Sequence, residues 1–472
     1  MRLFSGILPL LTAGVAALGS SSGYGTVVER DVVVIGGGSS GTYAAVRLQQ
    51  EGHTVVVLEK EDHLGGHTVT YTDPDTGLPF NLGVIIYHDS PIVRNYFGNL
   101  GVALQKGGPG GGSEQGFYDF STGRSVEEYK PVLPDALAAA TQKYVSILVE
   151  KYPYLSLGYD LPDPVPEELL APYSEFIETN GLGDIVQFVN SIAGCNGNLL
   201  DRPTLYGLKV FSPLLAQAVA AGFINAASGD NRDLYRAAEK RFEADQSVIV
   251  KSQIQKVKRS ADGVQVWTKT PKGKVLVKAK KLVLAIPPTL ENLQRIGLDL
   301  TLKEKRLFKK FKGFLYGSTV FTHPGIDPTK AFTNVGEDTP YNLLKLPGSY
   351  SIGTLAAGNI TTNKISAYFG GLDPKLPNGD IKRLVKGELD NLAREGSIGE
   401  GETDFVYFGN HSPYHLHVSP NDVRQGFYKE LYALEGQKNT FWTGAAFVDN
   451  DSTLIWTWTE SYLLQLIRSS LA

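Results

Sequence analysis

The chain has 472 residues, more than one ordinary domain needs, so we expect about two to three domain-sized units. Apolar residues make up 42% and charged residues 20% of the sequence, a composition that excludes a disordered or low-complexity protein. The net charge of −4 argues against nucleic acid as a partner, and the single cysteine, Cys195, excludes an intrachain disulfide framework and a cysteine-rich zinc site.

The amino terminus has the pattern of a secretory signal peptide. Arg2 gives a short positive start, an apolar run follows, and a small-x-small sequence at residues 17–19 precedes three serines. The run is too short for a membrane span, which needs about 20 residues, and we predict no span elsewhere. We predict a signal peptide at residues 1–19 and a secreted or secretory-pathway protein; the alternative is a frayed helix. Three sequons fit this route and predict a glycoprotein: Asn359, Asn410 and Asn450.

A strand, a glycine-rich turn, a helix and a second strand then follow within about 30 residues. Residues 30–35 (RDVVVI) are a continuous apolar run, typical of a buried parallel strand, and residues 36–41 (GGGSSG) form a complete G-x-G-x-x-G motif. A helix is predicted at residues 42–50 and a second strand at residues 54–58, with Glu59 at its end. This order predicts a Rossmann-type dinucleotide-binding unit.

Each glycine of the motif has a physical task. Gly36 allows the tight turn, Gly38 lets a pyrophosphate approach the backbone, and Gly41 lets the helix pack close to the strand. The first helical turn, with Ser39 and Ser40, offers free N–H groups and a partial positive charge to phosphates. We therefore expect this turn to hold the pyrophosphate of a dinucleotide.

The segment that begins at Glu59 distinguishes a flavin from a nicotinamide. Glu59 can accept hydrogen bonds from ribose hydroxyls, and its charge argues against a 2′-phosphate on that ribose. It is followed by Lys60, four further residues and the sequence Gly-Gly-His-Thr at residues 65–68. Here the chain resembles the flavin-containing amine oxidoreductases, which place two glycines and usually an arginine at this distance from the acid. The resemblance implies FAD, with His67 in the place of the arginine.

Gly83 ends an Asn-Leu-Gly segment that resembles the part of this family that runs beside the isoalloxazine ring. His88 follows closely, which makes it the candidate catalytic base. The alternative is a structural histidine.

The nucleotide domain is predicted to continue after an insertion. A helix at residues 233–242, a short strand at 247–250 and an antiparallel meander precede an apolar strand that Pro287 and Pro288 stop. By resemblance to the family, the backbone near Val250 contacts the adenine side and the proline turn approaches the flavin.

The last part of the nucleotide domain is predicted near the carboxyl terminus. Residues 439–446 predict a strand that leads into a turn at Gly444, and residues 453–467 predict a closing helix. The resemblance implies that residues 449–456 approach the flavin ring, with Trp456 as a wall of the substrate site.

The fold class predicted is α/β: a discontinuous, Rossmann-like FAD-binding domain of the amine oxidoreductase type with an inserted, α+β substrate domain. The FAD-binding parts are residues 27–120, 229–295 and 425–472. The substrate parts are residues 121–228 and 296–424, whose many aromatic residues we expect to include the lining of an apolar, planar site.

Four further features of the sequence bear on the chemistry and the partners. No cysteine lies near the carboxyl terminus, so we predict that FAD is held non-covalently. The stretch at residues 316–321 lacks the lysine that amine oxidases of this family place near the flavin, which disfavours amine oxidation. The basic run at residues 303–312 predicts a solvated amphipathic helix. Three histidines, at 411, 415 and 417, lack an evident acidic fourth ligand, so we predict no metal site.

The start VERDVVVIGGGSSG and the GGHT sequence are most similar to fungal flavoproteins of the β-cyclopiazonate dehydrogenase type. The resemblance implies removal of two hydrogens from a small indole alkaloid with oxidative ring closure, and an electron acceptor such as O2. Three alternatives stay open: an amine or amino-acid oxidase, a flavin-dependent isomerase of unsaturated fatty acids, and an FAD-binding protein without turnover. The predicted cofactor-binding residues are Gly36, Gly38, Ser39, Ser40, Gly41, Glu59, Lys60, Gly65, Gly66, His67, Gly83, Val250 and Gly444, and the predicted catalytic residues are His88 and Trp456.

Overall fold

The computed structural model describes residues 25–108, 114–193 and 197–471, so the predicted signal peptide and Cys195 lie outside the described residues. The strands are β1 (Thr26–Ile35), β2 (Val55–Leu58), β3 (Val69–Thr72), β4 (Pro79–Gly83), β5 (Tyr87–His88), β6 (Leu104–Gly107), β7 (Glu114–Asp119), β8 (Arg124–Ser125), β9 (Phe223–Ala226), β10 (Val248–Ile249), β11 (Gln253–Ser260), β12 (Gly263–Thr270), β13 (Gly273–Leu284), β14 (Lys312–Thr322), β15 (Lys330–Asn334), β16 (Gly348–Ala357), β17 (Ile360–Gly371), β18 (Asp404–Asn410), β19 (Tyr414–His417) and β20 (Thr440–Trp442).

The α-helices are α1 (Ser39–Gln50), α2 (Pro91–Asn99), α3 (Pro134–Lys151), α4 (Tyr173–Asn180), α5 (Val186–Ala193), α6 (Thr204–Val210), α7 (Pro213–Ala221), α8 (Asp233–Ala244), α9 (Leu290–Arg295), α10 (Leu302–Phe308), α11 (Asn378–Arg394), α12 (Pro420–Arg424), α13 (Phe427–Tyr432), α14 (Ser452–Trp458) and α15 (Leu464–Leu471). A π-helical turn (Thr459–Leu463) joins α14 to α15. None of the helices in the described ranges is long and apolar enough to cross a membrane.

The first sheet contains the parallel strands predicted for the nucleotide domain. Its order is β10-β2-β1-β13-β12-β11, and β20 pairs with the carboxyl half of β13. β1 and β2 are buried along their apolar runs because helices cover both faces of such a sheet. The carboxyl ends of β1, β2, β10, β13 and β20 meet at one edge, because these strands pair in parallel.

The second sheet belongs to the inserted domain. Its order is β18-β14-β17-β16-β15-β7-β8, with β19 also paired to β14. α11 packs on it through buried Val385, Leu389 and Leu392. β7 pairs in parallel with β15, so the first insertion begins before Glu114 and the predicted boundary at residue 120 is too late.

A small third sheet connects the two domains. Its central strand, β9, comes from the first insertion and pairs with β5 and β6 of the first nucleotide segment. The register places His88 opposite Phe223. His88 is therefore held at the boundary between the nucleotide sheet and the inserted helices.

Several elements differ in length from the predictions. The last strand of the meander and the apolar strand after it form the single strand β13. In the first insertion, α4 ends at Gly181, whose φ is +57°. A capping box between Thr301 and Glu304 starts α10, and this helix ends at Phe308, so the basic run is only partly helical.

Candidate functional site

The predicted cofactor residues gather at the carboxyl edge of the parallel strands. Gly36 follows β1, Glu59 follows β2, Val250 follows β10, and Gly444 lies two residues beyond β20. A crevice at this edge is the usual ligand position in open α/β sheets. Residues far apart in the sequence are therefore brought to one place by the strand order alone.

The glycines of the first turn have the geometry that the motif predicts. Gly36 has a φ of +103°, and a Cβ atom there would lie 2.7 Å from the carbonyl oxygen of Ala285. A Cβ on Gly41 would lie 2.0 Å from the carbonyl oxygen of Gly36, so only glycine lets α1 pack this closely. A Cβ on Gly38 would find no protein atom closer than 3.7 Å, the Cα of Gly66. The space in front of Gly38 is thus left open by the protein.

Glu59 supports this turn as well as facing it. Its Oε2 accepts a hydrogen bond from the N–H of Gly37 at 2.7 Å, and its Oε1 accepts one from the N–H of Glu61 at 2.9 Å. The side chain is buried. A carboxylate has about four acceptor positions, so the two backbone bonds leave capacity for ribose hydroxyls. The sequence pattern predicted the ribose acceptor but not the support of the turn.

The second glycine pair lies directly against the first turn. Gly65 has a φ of +128° and donates its N–H to the carbonyl of Gly37 at 2.9 Å. Gly66 has a φ of +56°, and a Cβ there would lie 2.8 Å from the Cα of Gly38. A side chain at Gly66 would block the approach of the two turns, and the positive φ of Gly65 favours glycine at that position.

The far end of the crevice is formed by β10 and the end of β2. Glu59 donates its N–H to the carbonyl of Ile249, and Ser252 donates its N–H to the carbonyl of Glu59. Val250 lies between these two bonds, beside Lys60, whose side chain is exposed and pairs with Glu61 at 3.2 Å. Val250 and Lys60 are thus placed where the nucleoside half of a dinucleotide ends.

The carboxyl-terminal segment closes the crevice from the other side. Thr443 donates its N–H to the carbonyl of Leu284, and Gly444 follows with a φ of +110°. A Cβ on Gly444 would lie 3.4 Å from the Oγ of Ser40 in the first turn of α1. The chain therefore passes the amino terminus of this helix a second time, about 400 residues after the first.

This arrangement fits a dinucleotide. The amino terminus of α1 has unpaired N–H groups, the cradle at Gly38 and Gly66 would be filled by side chains, and a buried carboxylate lies at the end of β2. Each of these features matches one part of an adenine dinucleotide. The residues that the structure describes are therefore suited to hold FAD.

Trp456 is not a wall of the substrate site, and that prediction is wrong. Its side chain is fully buried. The ring stacks on Tyr43 at 5.7 Å and on Tyr87 at 5.6 Å, and Tyr96 meets it edge-on at 4.9 Å. Trp456 lies behind the first turn of α1 because α14 packs on this helix, so no ligand can touch it.

His88 forms a buried pair with Asp451. The His88 Nε2 lies 2.8 Å from the Asp451 Oδ2, the distance of a close ion pair. Burial lowers the pKa of His88, but the charge of Asp451 and its contact with the imidazole together outweigh burial, and the net pKa is raised. The pKa of Asp451 is lowered by His88 against the effect of burial. His88 is thus favoured as an imidazolium; its predicted role as a base stays a prediction.

Rings packed against one another, one pair stacked and two pairs tilted, form a wall between the Gly-Gly turn and the second sheet. The His67 ring lies 4.6 Å from the ring of His411 and 5.6 Å from that of Tyr414, and Tyr414 lies 4.8 Å from Tyr316. The carbonyl of His67 is 3.4 Å from the position of a Cβ on Gly83. We call these four residues, His67, His411, Tyr316 and Tyr414, the ring wall.

The imidazoles of the ring wall are neutral near pH 7. Loss of hydration next to the surrounding protein lowers the pKa of His67 to about 3, and the charges of His411 and Lys60 contribute smaller effects in the same direction. Burial lowers the pKa of His411 to about 4. His67 is nevertheless exposed to solvent. The wall is thus aromatic and uncharged.

The other two histidines of the predicted loop face different partners. The His415 Nδ1 lies 3.5 Å from the Asp449 Oδ1, whereas the His417 ring stacks on Phe314 at 4.6 Å. Within the described ranges, no group of three or more histidine, cysteine or acidic side chains comes together as a metal site would require.

Two buried polar residues near the site were missed by the sequence interpretation. Asn231 donates two hydrogen bonds from its amide to the carbonyls of Val84 and Ile85 and so holds the segment after Gly83. The Lys209 ammonium is fully buried on α6. The sequence pattern that could have identified Lys209 is a lone lysine in an otherwise mostly apolar helix. No sequence pattern pointed to Asn231.

Comparison with known proteins shows the family to which the chain belongs. Residues 39–325 match the family model described as flavin containing amine oxidoreductase. The "FAD-dependent oxidoreductase dpchF" of Colletotrichum higginsianum is 34% identical over 94% of both chains. The "Beta-cyclopiazonate dehydrogenase" of Aspergillus oryzae is 33% identical over 98% of both chains. The chain belongs to the flavin-containing amine oxidoreductase family, and it is an FAD-dependent oxidoreductase.

Solved structures show the same fold. The CLA-producing fatty acid isomerase of P. acnes superposes with a TM-score of 0.73 over 92% of this chain and 98% of that chain, at 20% identity. Putrescine oxidase bound to putrescine gives a TM-score of 0.61 over 93% of this chain and 100% of that chain, at 15% identity. The predicted fold class, family and cofactor are thereby confirmed.

Proposed function

We propose that the protein removes two hydrogens from a small, flat secondary metabolite of the indole type, with oxidative ring closure. The ring wall carries this proposal, because its packed, uncharged rings offer aromatic faces and edges to a planar aromatic substrate. The relatives named "Beta-cyclopiazonate dehydrogenase" support the same class of substrate.

FAD, when bound, supplies hydride acceptance and needs no covalent bond to the chain. Glu59 would hold the ribose, and the N–H groups at the start of α1 would hold the pyrophosphate, for which Gly38 and Gly66 leave room. The ring wall then orients a flat substrate and excludes water from one side of it. Acid precipitation of the yellow protein should release the flavin, and flavin that stays in the pellet would contradict a non-covalent site.

Three probes separate the enzymatic alternatives. We would mix the oxidised holoprotein without oxygen with β-cyclopiazonate, putrescine or linoleate and follow the visible flavin absorbance. Lasting bleaching by β-cyclopiazonate, with a ring-closed product, is the expected result. Bleaching only by putrescine would indicate an amine oxidase, and a recovered spectrum with isomerised linoleate would indicate an isomerase.

The same mixtures test the remaining alternatives. A flavin that no probe reduces would favour binding without turnover. We propose O2 as the electron acceptor, so readmitted air should restore the flavin spectrum and produce hydrogen peroxide in proportion to the substrate consumed. A reduced flavin that air does not reoxidise would contradict this acceptor.

We also propose that the protein matures in the secretory pathway. Asn359 lies exposed in the turn between β16 and β17, and Asn410 lies exposed at the end of β18. Asn450 is partly buried between the buried Asp449 and the partly buried Asp451, so we expect glycans at the first two sites only. Enzymatic deglycosylation of the protein from a fungal host should lower its mass, and the double variant Asn359→Gln/Asn410→Gln should show no further change. A retained leader and no glycan would contradict the route.

A further inference from the structure

A cavity of about 300 Å³ lies between α11 and one end of the second sheet, and it shares no residue with the cofactor crevice. The strands β7 and β15 end beside it, and β16 begins there. The other wall is one face of α11, whose residues are spaced by three or four positions: Arg383, Leu384, Gly387, Glu388 and Asn391. The volume is at the lower end of the range for ligand sites, so it suits a ligand of few heavy atoms.

Glu388 is a buried carboxylate that the surrounding protein satisfies only in part. Its side chain lines the cavity, and the residue is 6% exposed. Its Oε1 accepts a hydrogen bond from the N–H of Ser349 at 2.9 Å, whereas its Oε2 has no hydrogen-bonding partner among residues 25–108, 114–193 and 197–471. The Ser349 hydroxyl lies near the carboxylate but makes no hydrogen bond within the same ranges. Because a buried polar atom without a partner is costly, a ligand that donates to Oε2 would be stabilised.

The charge of Glu388 changes near neutral pH. Burial raises its pKa to about 7, and the hydroxyl and the N–H of Ser349 oppose this rise. The other charged groups that line the cavity are Asp119 of β7, Lys345 before β16 and Arg383 of α11. A cation bound at Glu388 favours the carboxylate and lowers its pKa, so binding at pH 7 should release a proton.

The charges of the cavity are arranged by depth. Asp119 is buried and stays ionised, because hydrogen bonds from Ser121 and Lys345 outweigh the effect of burial and lower its pKa. The side chains of Lys345 and Arg383 are 45% and 75% exposed. Lys345 donates to Asp119 at 3.0 Å, which uses one of its three N–H donors. Carboxylates therefore lie at the inner end of the cavity, and cations lie at its mouth.

Gly387 leaves the helical wall of the cavity without a side chain. It lies within α11, where glycine is less favourable than alanine. A Cβ at this position would meet no atom of the described residues within 4 Å, and the backbone is not in the left-handed region. Packing therefore does not require glycine here, whereas a larger side chain would project into the space that a ligand needs.

We propose that this cavity binds a small zwitterion of the α-amino acid class, with its ammonium at Glu388 and its carboxylate at Lys345 and Arg383. The ligand ammonium supplies the donor that the Glu388 Oε2 lacks, and the ligand carboxylate accepts from the remaining donors at the mouth. An anion alone would meet two buried carboxylates, and a cation alone would lie beside Lys345 without a partner for that ammonium. Occupation of the site needs no reaction at FAD, so this inference stands apart from the proposed function.

Calorimetry on the FAD-loaded protein tests the ligand class. L-Alanine would be titrated at pH 7 in two buffers of different ionisation enthalpy, with ethylamine and acetate as probes that each carry one of its two charges. We expect saturable binding of L-alanine with release of a proton, and at least tenfold weaker binding of the other two probes. The affinity for L-alanine should be lower at pH 6 than at pH 8, because Glu388 is protonated below a pKa of about 7.

Variants of the charged residues test the two ends of the site. Glu388→Gln keeps the shape of the side chain and should lose the proton release and at least tenfold in affinity. Lys345→Met should also lose about tenfold, because the ligand carboxylate loses a cation. Lys386→Met is the matched control, since Lys386 is exposed on α11 and does not line the cavity. Its affinity should stay unchanged.

A pair of glycine variants tests the cavity without removing a charge. Gly387→Ala and Gly387→Leu should both keep the flavin and the melting temperature, but only Gly387→Leu should abolish binding of L-alanine. Wild-type protein that gives no saturable heat with L-alanine would overturn the proposal. Acetate or ethylamine that binds as tightly as L-alanine would overturn the zwitterion, and unchanged binding in Gly387→Leu would overturn the cavity as its site. None of these results depends on whether a probe reduces the flavin.

Discussion

The indole N–H of Trp456 donates a hydrogen bond to the Oγ of Ser39 at 3.0 Å. The same hydroxyl lies 3.0 Å from the Oγ of Ser452. Two side chains of α14, Trp456 and Ser452, therefore contact Ser39 in the first turn of α1. The last part of the chain therefore holds the turn that begins the cofactor site. The aromatic stack behind Trp456 fixes the position of the indole.

We expect Trp456→Phe to keep most of the stacking and lose the hydrogen bond. The loss should cost about 1 kcal/mol of unfolding free energy and weaken FAD binding, because the first turn of α1 becomes less fixed. Chemical denaturation and a flavin-binding titration measure the two effects. Trp267→Phe on β12 is the matched control, and equal losses of affinity in both variants would contradict the link to α1.

Gly38 and Gly41 should respond differently to an added side chain. Gly38→Val meets open space in the protein, so the fold should persist while FAD is lost. Gly41→Ala brings a Cβ to 2.0 Å from the Gly36 carbonyl, so the protein itself should be destabilised. Circular dichroism and flavin content separate these outcomes. A Gly38→Val protein with full flavin content would show that this turn does not hold the cofactor.

Glu59→Ala should weaken FAD binding and also loosen the turn. Loss of a charged acceptor for the ribose should cost ~1.5–3 kcal/mol, which is about ten- to a hundredfold in affinity. The N–H groups of Gly37 and Glu61 lose their partner in the same variant, so the free energy of unfolding without FAD should fall too. Glu59→Gln keeps one acceptor oxygen and the shape of the side chain, so it should retain part of the FAD affinity and part of the unfolding free energy. A normal FAD affinity in Glu59→Ala would contradict the ribose contact.

The His88–Asp451 pair should stabilise the fold most in mildly acidic solution. The pKa of Asp451 is lowered from 3.8 in the folded protein, so its contribution is present above that pH and is lost as the pH falls through the lowered value. The pKa of His88 is raised from 6.5, so its contribution is complete below that pH and is lost as the pH rises through the raised value.

A double-mutant cycle checks this window. His88→Gln alone leaves a buried, unpaired carboxylate and should cost roughly 3–5 kcal/mol of unfolding free energy at pH 5. His88→Gln/Asp451→Asn should recover part of that loss, and the coupling should shrink at pH 9. A coupling that does not change with pH would mean that the two residues are not an ion pair.

The nucleotide half of the molecule could be predicted from the sequence because its signals are local. The glycine turn and Glu59 have fixed spacing along one βαβ unit, and the structure places them as the spacing requires. β20 and Gly444 could be placed by resemblance. Trp456 could not, because position in the chain does not say which face of α14 meets α1.

The chemistry of the site depends on contacts between distant segments, which no local pattern encodes. His88 and Asp451 are more than 360 residues apart in the sequence. Asp449 pairs with His415, which lies on β19 beside the second sheet. Lys209 is a buried cationic residue, and its burial depends on how the inserted helices pack. Sequence reasoning found most of these segments but not their pairing.

The position of β20 beside β13 has a consequence for how the protein is made. The cofactor crevice begins at Gly36, but it is complete only when residues from Thr440 onward have left the ribosome and paired with β13. A chain that stops earlier has the first glycine turn without its closing segment. We therefore expect flavin retention to require the segment from Thr440 to Gly444, and the yellow colour should distinguish molecules that contain this closing segment from molecules that lack it.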